Sequence, residues 1–226
     1  MPSTATSWKA SGCPSWTGAS WTGARAAQLA EVLAASAAYV VEDDSAGDVA
    51  SSPLHSVGTH LPLRTLHVHS FSKSHGPDLR LAAVGGPAAV LDPVLERRLL
   101  GQGWTSRLLQ HLLLTLLTDD ASVAAVRRAR DEYARRRRLV IDGLHGAGIE
   151  LPPGDGINIW LPVTDEQAAL ITLASAGIAA AAGTAFSAAP TSAHLRVTVG
   201  LVVSDHAVIA DRLAQAARTP GQSITR

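Results

Sequence analysis

Cysteine is almost missing from this chain of 226 residues: Cys13 stands alone. One thiol builds neither a disulfide framework nor a CxxC metal site, and the pattern fits a reducing, cytoplasmic setting. Net charge is missing too. Lys plus Arg and Asp plus Glu number 19 each. That balance argues against a dedicated nucleic-acid or membrane-surface binder, because such proteins carry a basic excess. No charged stretch followed by an apolar run opens the sequence, so no signal peptide is expected. The most apolar segment, 108–117, is interrupted by Gln110 and His111 and is too short to span a bilayer. Lysine is the scarcest cation: Lys9 and Lys73 stand against seventeen arginines. Surface positive charge is carried by Arg here, so Lys73 calls for a chemical reason beyond solubility.

What is present is apolar material and a change of pattern along the chain. Hydrophobic residues make up 46% of the total, enough for one large core or two small ones. Residues 1–23 are rich in Ser, Thr, Gly and Trp without a period of 2 or 3.6, and read as irregular. Residues 24–36 carry Ala, Leu and Val at helical spacing. The short apolar run 38–42 suits a buried parallel strand. Strands are expected at 63–72 and 79–84, the latter ended by Gly85, Gly86 and Pro87. Helix and strand alternating in this way is an α/β pattern. Beyond a boundary expected near Pro93, the spacing predicts helices over 92–100, 106–117 and 121–147. A strand at 157–163, a helix at 165–176, a strand at 194–201 and a helix at 204–218 follow, as in a small α+β domain.

The chemistry concentrates at Ser70-Phe71-Ser72-Lys73-Ser74-His75-Gly76-Pro77-Asp78-Leu79-Arg80. This segment follows a predicted strand, and in open α/β sheets ligands sit beyond the carboxyl ends of strands. Serine hydroxyls and Arg80 suit a phosphate dianion. A partly desolvated Lys73 beside them has its charged form disfavoured, and can act as an amine nucleophile towards an aldehyde. Upstream, alternation along the strand places Tyr39, Val41 and Asp43 on one face, with Asp43 at the carboxyl end. A carboxylate there needs a cation, and a protonated pyridine nitrogen is one. Asp44 competes for that role. In the third element, His194, Arg196 and Thr198 share one strand face and Leu195, Val197 and Val199 the other, so that Arg196 is free to clamp a carboxylate.

Glu42-Asp43-Asp44, the 70–80 segment and His194-Leu195-Arg196-Val197-Thr198-Val199-Gly200, in this order and spacing, resemble the fold-type-I pyridoxal-phosphate (PLP) enzymes of the class I/II aminotransferase group. The likeness is nearest to the aminotransferase-like domain of GntR/MocR-type transcriptional regulators and covers roughly residues 24–218. It implies an α/β chain: part of the large PLP-binding domain over 1–93, then bridging helices and a small C-terminal α+β domain over 94–226. It further implies pyridoxal 5'-phosphate as cofactor. Asp43 would pair with the pyridine nitrogen, Lys73 would be the Schiff-base and catalytic lysine, and Ser70 and Arg80 would hold the phosphate. Arg196 would bind the substrate's α-carboxylate. An amino acid and a 2-oxo acid are the implied substrates. Gly103-Trp104-Thr105-Ser106 matches the stretch that reaches a second subunit's cofactor in that group, and implies a homodimer. Three functions stay open: amino-group transfer, effector sensing as half of a transcriptional regulator, and an inactive remnant.

The pattern departs from the group in several places. Only 42 residues precede Asp43, so an N-terminally truncated large domain is expected. Ser45 stands where many members have a tyrosine. The turn that normally supplies an asparagine has a counterpart only in Pro14-Ser15-Trp16-Thr17-Gly18, and Asn158 is the sole asparagine. No winged helix accompanies the domain, so no direct nucleic-acid binding is expected. The arginines 135–138 read as a solvated helix face. His55, His60, His67, His69 and His75 fall in loops and on one strand face without acidic partners at ligand spacing, so no metal site is expected.

Overall fold

A computed structural model describes residues 21–187 and 192–221. The turn expected at 14–18 and most of the irregular segment 1–23 lie outside the described residues. The described chain divides into two compact units within one long helix, between Glu132 and Tyr133, a point well beyond Pro93.

The first unit opens with helix α1 (Gly23–Ala34), capped by the Thr22 hydroxyl, which accepts from the Arg25 amide at 3.2 Å. Ala26 and Ala30, one turn apart, bury its inner stripe with Val57. Strand β1 (Val40–Asp44) pairs in parallel with β2 (Thr65–Ser70), and β3 (Ala82–Gly85) pairs antiparallel with β2. Parallel neighbours need a long crossover. Here residues 45–64 supply it with short 3-10 turns at Gly47–Val49 and Val57–Thr59 instead of a helix. Glu42 anchors the second turn, accepting from the Ser56 hydroxyl at 2.5 Å and the Val57 amide at 2.6 Å.

Strand β1 starts and ends two residues later than the apolar run suggests, and it is not doubly buried: Val41 is 65% exposed. Ala38 and Tyr39 look like strand in sequence but fall before the first paired residue, Val40, whereas Asp43 and Asp44 are carried into the strand by their register against Val68 and His69. Helices α2 (Ala88–Leu99) and α3 (Arg107–Thr118) follow, the latter capped by Ser106. Helix α4 (Asp120–Gly146) runs 27 residues.

The second unit holds the largest core. Strands β4 (Asn158–Pro162), β5 (Ala181–Ala182) and β6 (His194–Thr198) form an antiparallel sheet in the order β4-β6-β5. Helices α5 (Glu166–Ser175) and α6 (His206–Ala217) and the last turns of α4 complete it. Ile159, Leu161, Leu173, Leu195, Val199 and Leu213 are fully buried in one cluster with Leu144 and Val140. Alternation on β6 is as the sequence predicts, with Leu195 and Val197 inside. Glu166 ties α5 to the sheet by accepting from the Thr184 hydroxyl at 2.9 Å and the His194 amide at 3.2 Å.

One expectation about this region fails. The arginines 135–138 are not a uniformly solvated face. Arg137 is 6% exposed and donates to the Asn158 carbonyl, and Arg136 donates to the Gly200 carbonyl at 2.7 Å. Burial lowers the pKa of the Arg137 guanidinium, and the charge of Asp155 partly offsets that.

Candidate active site

The segment after β2 is a built loop. The Phe71 amide donates to the Leu81 carbonyl at 3.2 Å, pinning the two ends together, and the His75 amide donates to the Phe71 carbonyl at 2.9 Å. Phe71, Leu79 and Leu81 are buried against Leu113 of α3, with Leu109 and Leu116 packed alongside. Gly76 has φ +110°, which only glycine adopts readily, and its peptide leads into the 3-10 turn Pro77–Leu79. Arg80 itself is left-handed at φ +49°, an uncommon conformation for a residue with a Cβ. Lys73, expected to be partly desolvated, is instead exposed on this loop because the apolar residues of the segment pack towards α3, with half-buried Ser70 at the strand end and Arg80 exposed beyond the turn. The Ser72 amide lies 3.4 Å from the Ser70 hydroxyl.

Asp43 and Asp44 go to opposite faces of β1, as alternation requires. Asp43 is exposed. Asp44 is buried and occupied: it accepts from the Gly47 amide at 2.8 Å and lies 2.7 Å from His69 Nδ1. Four of the sequence-derived residues, Asp43, Ser70, Lys73 and Arg80, belong to the carboxyl ends of the parallel strands β1 and β2 and to the loop after β2, in the first unit. Arg196 belongs to the second. There it lies opposite Trp160 and Ala181 on β6, its guanidinium carbon 4.3 Å from the centroid of the Phe186 ring. Its Nε is buried without a hydrogen-bond partner among the described residues.

The histidines were expected to lack acidic partners, and this is overturned. The parallel register sets Glu42 beside His67 and Asp44 beside His69. His67 Nδ1 is 3.6 Å from Glu42 and its Nε2 3.5 Å from Asp44, while His69 Nε2 is 3.1 Å from Asp48. Asp48 accepts from the Ser74 hydroxyl at 2.8 Å, next to Lys73. Burial alone would lower the His69 pKa, but the hydrogen bond to Asp44 and the charges of Asp48 and Asp44 outweigh it, and the net shift is upward. Local spacing could not show this cluster. Its signal is a pair of i, i+2 repeats, acidic at 42 and 44 and imidazole at 67 and 69, which meet only once the strands are paired.

Comparison with known proteins agrees with this architecture. No protein-family model matches the chain. The vitamin B6 salvage pathway transcriptional repressor PtsJ of Salmonella typhimurium is 37% identical over 185 residues, 81% of this chain and 43% of the repressor. A probable aspartate/prephenate aminotransferase of Thermus aquaticus is 28% identical over 198 residues, 83% of this chain and 50% of the enzyme. Among solved structures, Thermus thermophilus aspartate aminotransferase with maleate superposes with a TM-score of 0.77 at 25% identity, over 88% of this chain and 54% of that one. Pyrococcus horikoshii kynurenine aminotransferase does so at 0.81 and 21% identity, over 90% and 53%, a likeness of fold alone. The chain spans about half the length, or less, of the curated relatives it matches. It has the mixed α/β fold of the PLP-dependent aminotransferases of fold type I, and its sequence is similar both to a transcriptional repressor and to an aminotransferase.

Proposed function

From that fold we propose that the chain binds pyridoxal 5'-phosphate at Lys73 and acts on amino compounds, transferring an amino group between an amino acid and a 2-oxo acid. The observation that carries the reading is the Lys73 loop: an exposed amine just beyond the carboxyl end of β2, with the Ser70 hydroxyl at that strand end, the Arg80 guanidinium after the turn and the Asp43 carboxylate near the carboxyl end of the parallel neighbour β1. Those donors fit the cofactor's chemistry. The Lys73 amine suits its aldehyde, Ser70 and Arg80 its phosphate, and Asp43 its pyridine nitrogen. Asp43 is favoured over Asp44 because the Asp44 carboxylate is already committed to Gly47 and His69. When bound, the cofactor supplies an electron sink for the substrate's α-carbon. Lys73 then takes and returns the α-proton as a general base. Arg196, whose Nε has no hydrogen-bond partner among the described residues, is assigned the substrate's α-carboxylate, which a guanidinium holds through paired N–H donors.

A homodimer goes with this reading. Leu99, Leu100, Trp104 and Leu108 are 72–89% exposed along α2, α3 and their link, apolar surface of the kind that a second copy covers. A second functional reading, effector sensing without turnover, is favoured by the similarity to a repressor of vitamin B6 salvage.

The test is to mix the purified protein with PLP, record the visible spectrum, reduce with borohydride and map the modified peptide by mass spectrometry. A new absorption band, with the added mass on Lys73 and both lost in Lys73→Ala, is expected. Mass spread over Lys9 and the amino terminus, or no band, overturns the assignment. Turnover with paired amino and 2-oxo acids then separates transfer from sensing.

A further inference from the structure

We propose that Asp44, His67 and His69 bind one divalent transition-metal ion of the zinc type, on the face of the β1–β2 pair opposite Asp43. The proposal is independent of PLP binding. One potential ligand atom from each residue lies within 4.8 Å of the others. Around a tetrahedral ion at about 2.0–2.2 Å, ligand atoms sit on the order of 3.4 Å apart. The 3.5 Å between His67 Nε2 and Asp44 Oδ2 already matches, and the 2.7 Å between His69 Nδ1 and the same oxygen opens with a small side-chain rotation.

The surroundings argue for a ligand set more than for a chance cluster. A metal-bound histidine characteristically gives its second ring nitrogen to a carboxylate. His69 does so here, its Nε2 3.1 Å from Asp48, and His67 Nδ1 lies within ion-pair distance of Glu42 at 3.6 Å. Those outer carboxylates are themselves held, Asp48 by Ser74 and Glu42 by Ser56 and the Val57 amide. Asp44 is fixed through Oδ1 by the Gly47 amide, which leaves Oδ2 towards the histidines. A Cβ at position 47 would collide with that carboxylate, so Gly47 is what lets the chain approach it.

Charge points the same way. The Glu42 and Asp44 side chains are 10% and 7% exposed, and with Asp48 they place three carboxylates around two imidazoles. Three carboxylates outnumber the two rings whatever the protonation of the imidazoles, so the group keeps a net negative charge that a divalent cation offsets. His67, about a third exposed, gives the ion a route in. Two imidazoles and one carboxylate select zinc, nickel, cobalt or copper over magnesium or calcium, which favour all-oxygen sites.

The test uses the full chain stripped with a chelator and titrated calorimetrically with zinc chloride at pH 7.5. One ion per chain is expected. His67→Gln and His69→Gln should each weaken binding by more than the about 10–100-fold that losing an outer partner costs, and Asp48→Asn should fall within that range. His55→Gln should change nothing. Absence of wild-type binding, or wild-type affinity in both His67→Gln and His69→Gln, overturns the site. X-ray absorption of the zinc-loaded wild-type protein decides the matter even if a variant fails to fold: scattering from two imidazoles is expected, and one imidazole or a sulfur neighbour refutes the assignment.

Discussion

Replacing Leu195 by alanine tests whether the second unit is packed as described. Leu195 is fully buried in β6, the central strand of its sheet, between Leu161 of β4 and Ala182 of β5. Truncation removes three carbons, which at about 0.8 kcal/mol each lose about 2.4 kcal/mol of transfer free energy. A central strand flanked on both sides cannot collapse freely, so a cavity term of about 24 cal/mol per Å³ adds to this and brings the total to about 3–5 kcal/mol. Since whole domains are stable by only about 5–15 kcal/mol, such a loss removes a large share of the total. Urea unfolding followed by circular dichroism should show it. Hydrogen exchange in the peptides covering 158–162 and 194–198 should speed up, because local opening of the sheet becomes easier. Leu195→Met, which keeps the volume, should cost less than about 1.5 kcal/mol. A loss below about 1 kcal/mol in Leu195→Ala, with exchange unchanged, would refute the reasoning.

Other perturbations read other parts of the chain. Gly183→Ala puts a Cβ 2.5 Å from the His194 carbonyl oxygen, and should destabilise by about 1–3 kcal/mol in a thermal melt. Gly146→Ala meets nothing within 4 Å, and should be neutral or stabilising by up to about 1 kcal/mol. Asp165→Ala removes the carboxylate that caps α5 by accepting from the Ala168 amide at 2.7 Å, and should lose about 1 kcal/mol by urea titration. Asp119 caps α4 with bonds from the Ser122 hydroxyl and amide, which lower its pKa. A depressed folded-state pKa adds stability above the unfolded value that is lost as pH falls through the folded one. The melting temperatures of wild type and Asp119→Ala should therefore differ most at neutral pH and converge in acid.

Where sequence reading succeeded, the determinants are local. Helices α1, α4, α5 and α6 follow from apolar spacing and capping residues, and the turn at Gly76-Pro77 announces itself through φ preferences that those residues carry wherever they stand. The buried stripe of β6 follows from alternation, and with it the separation of Arg196 from Leu195. Of the residues proposed for PLP, Ser70, Lys73 and Arg80 stand on one short contiguous segment, whereas Asp43 comes from another strand and joins them through the family resemblance.

Where it failed, the determinant is a partner far along the chain. Ala181 and Ala182 lie in an alanine run with no strand signal, and become β5 only because β6 pairs with them. Arg137 looks like any member of an arginine run until the Asn158 carbonyl takes its donor and burial closes over it. The acidic end of β1 is the most instructive case. Glu42-Asp43-Asp44 reads as the end of a strand, because adjacent carboxylates disfavour sheet. The parallel register reverses that, since two of the three acids find an imidazole on β2 directly opposite and the third goes to the other face. One pairing decision thus lengthens the strand, separates Asp43 from Asp44 and assembles the histidine–carboxylate cluster. For that reason the spacing of the histidines along the sequence argues against a metal site, and their placement across the sheet argues for one.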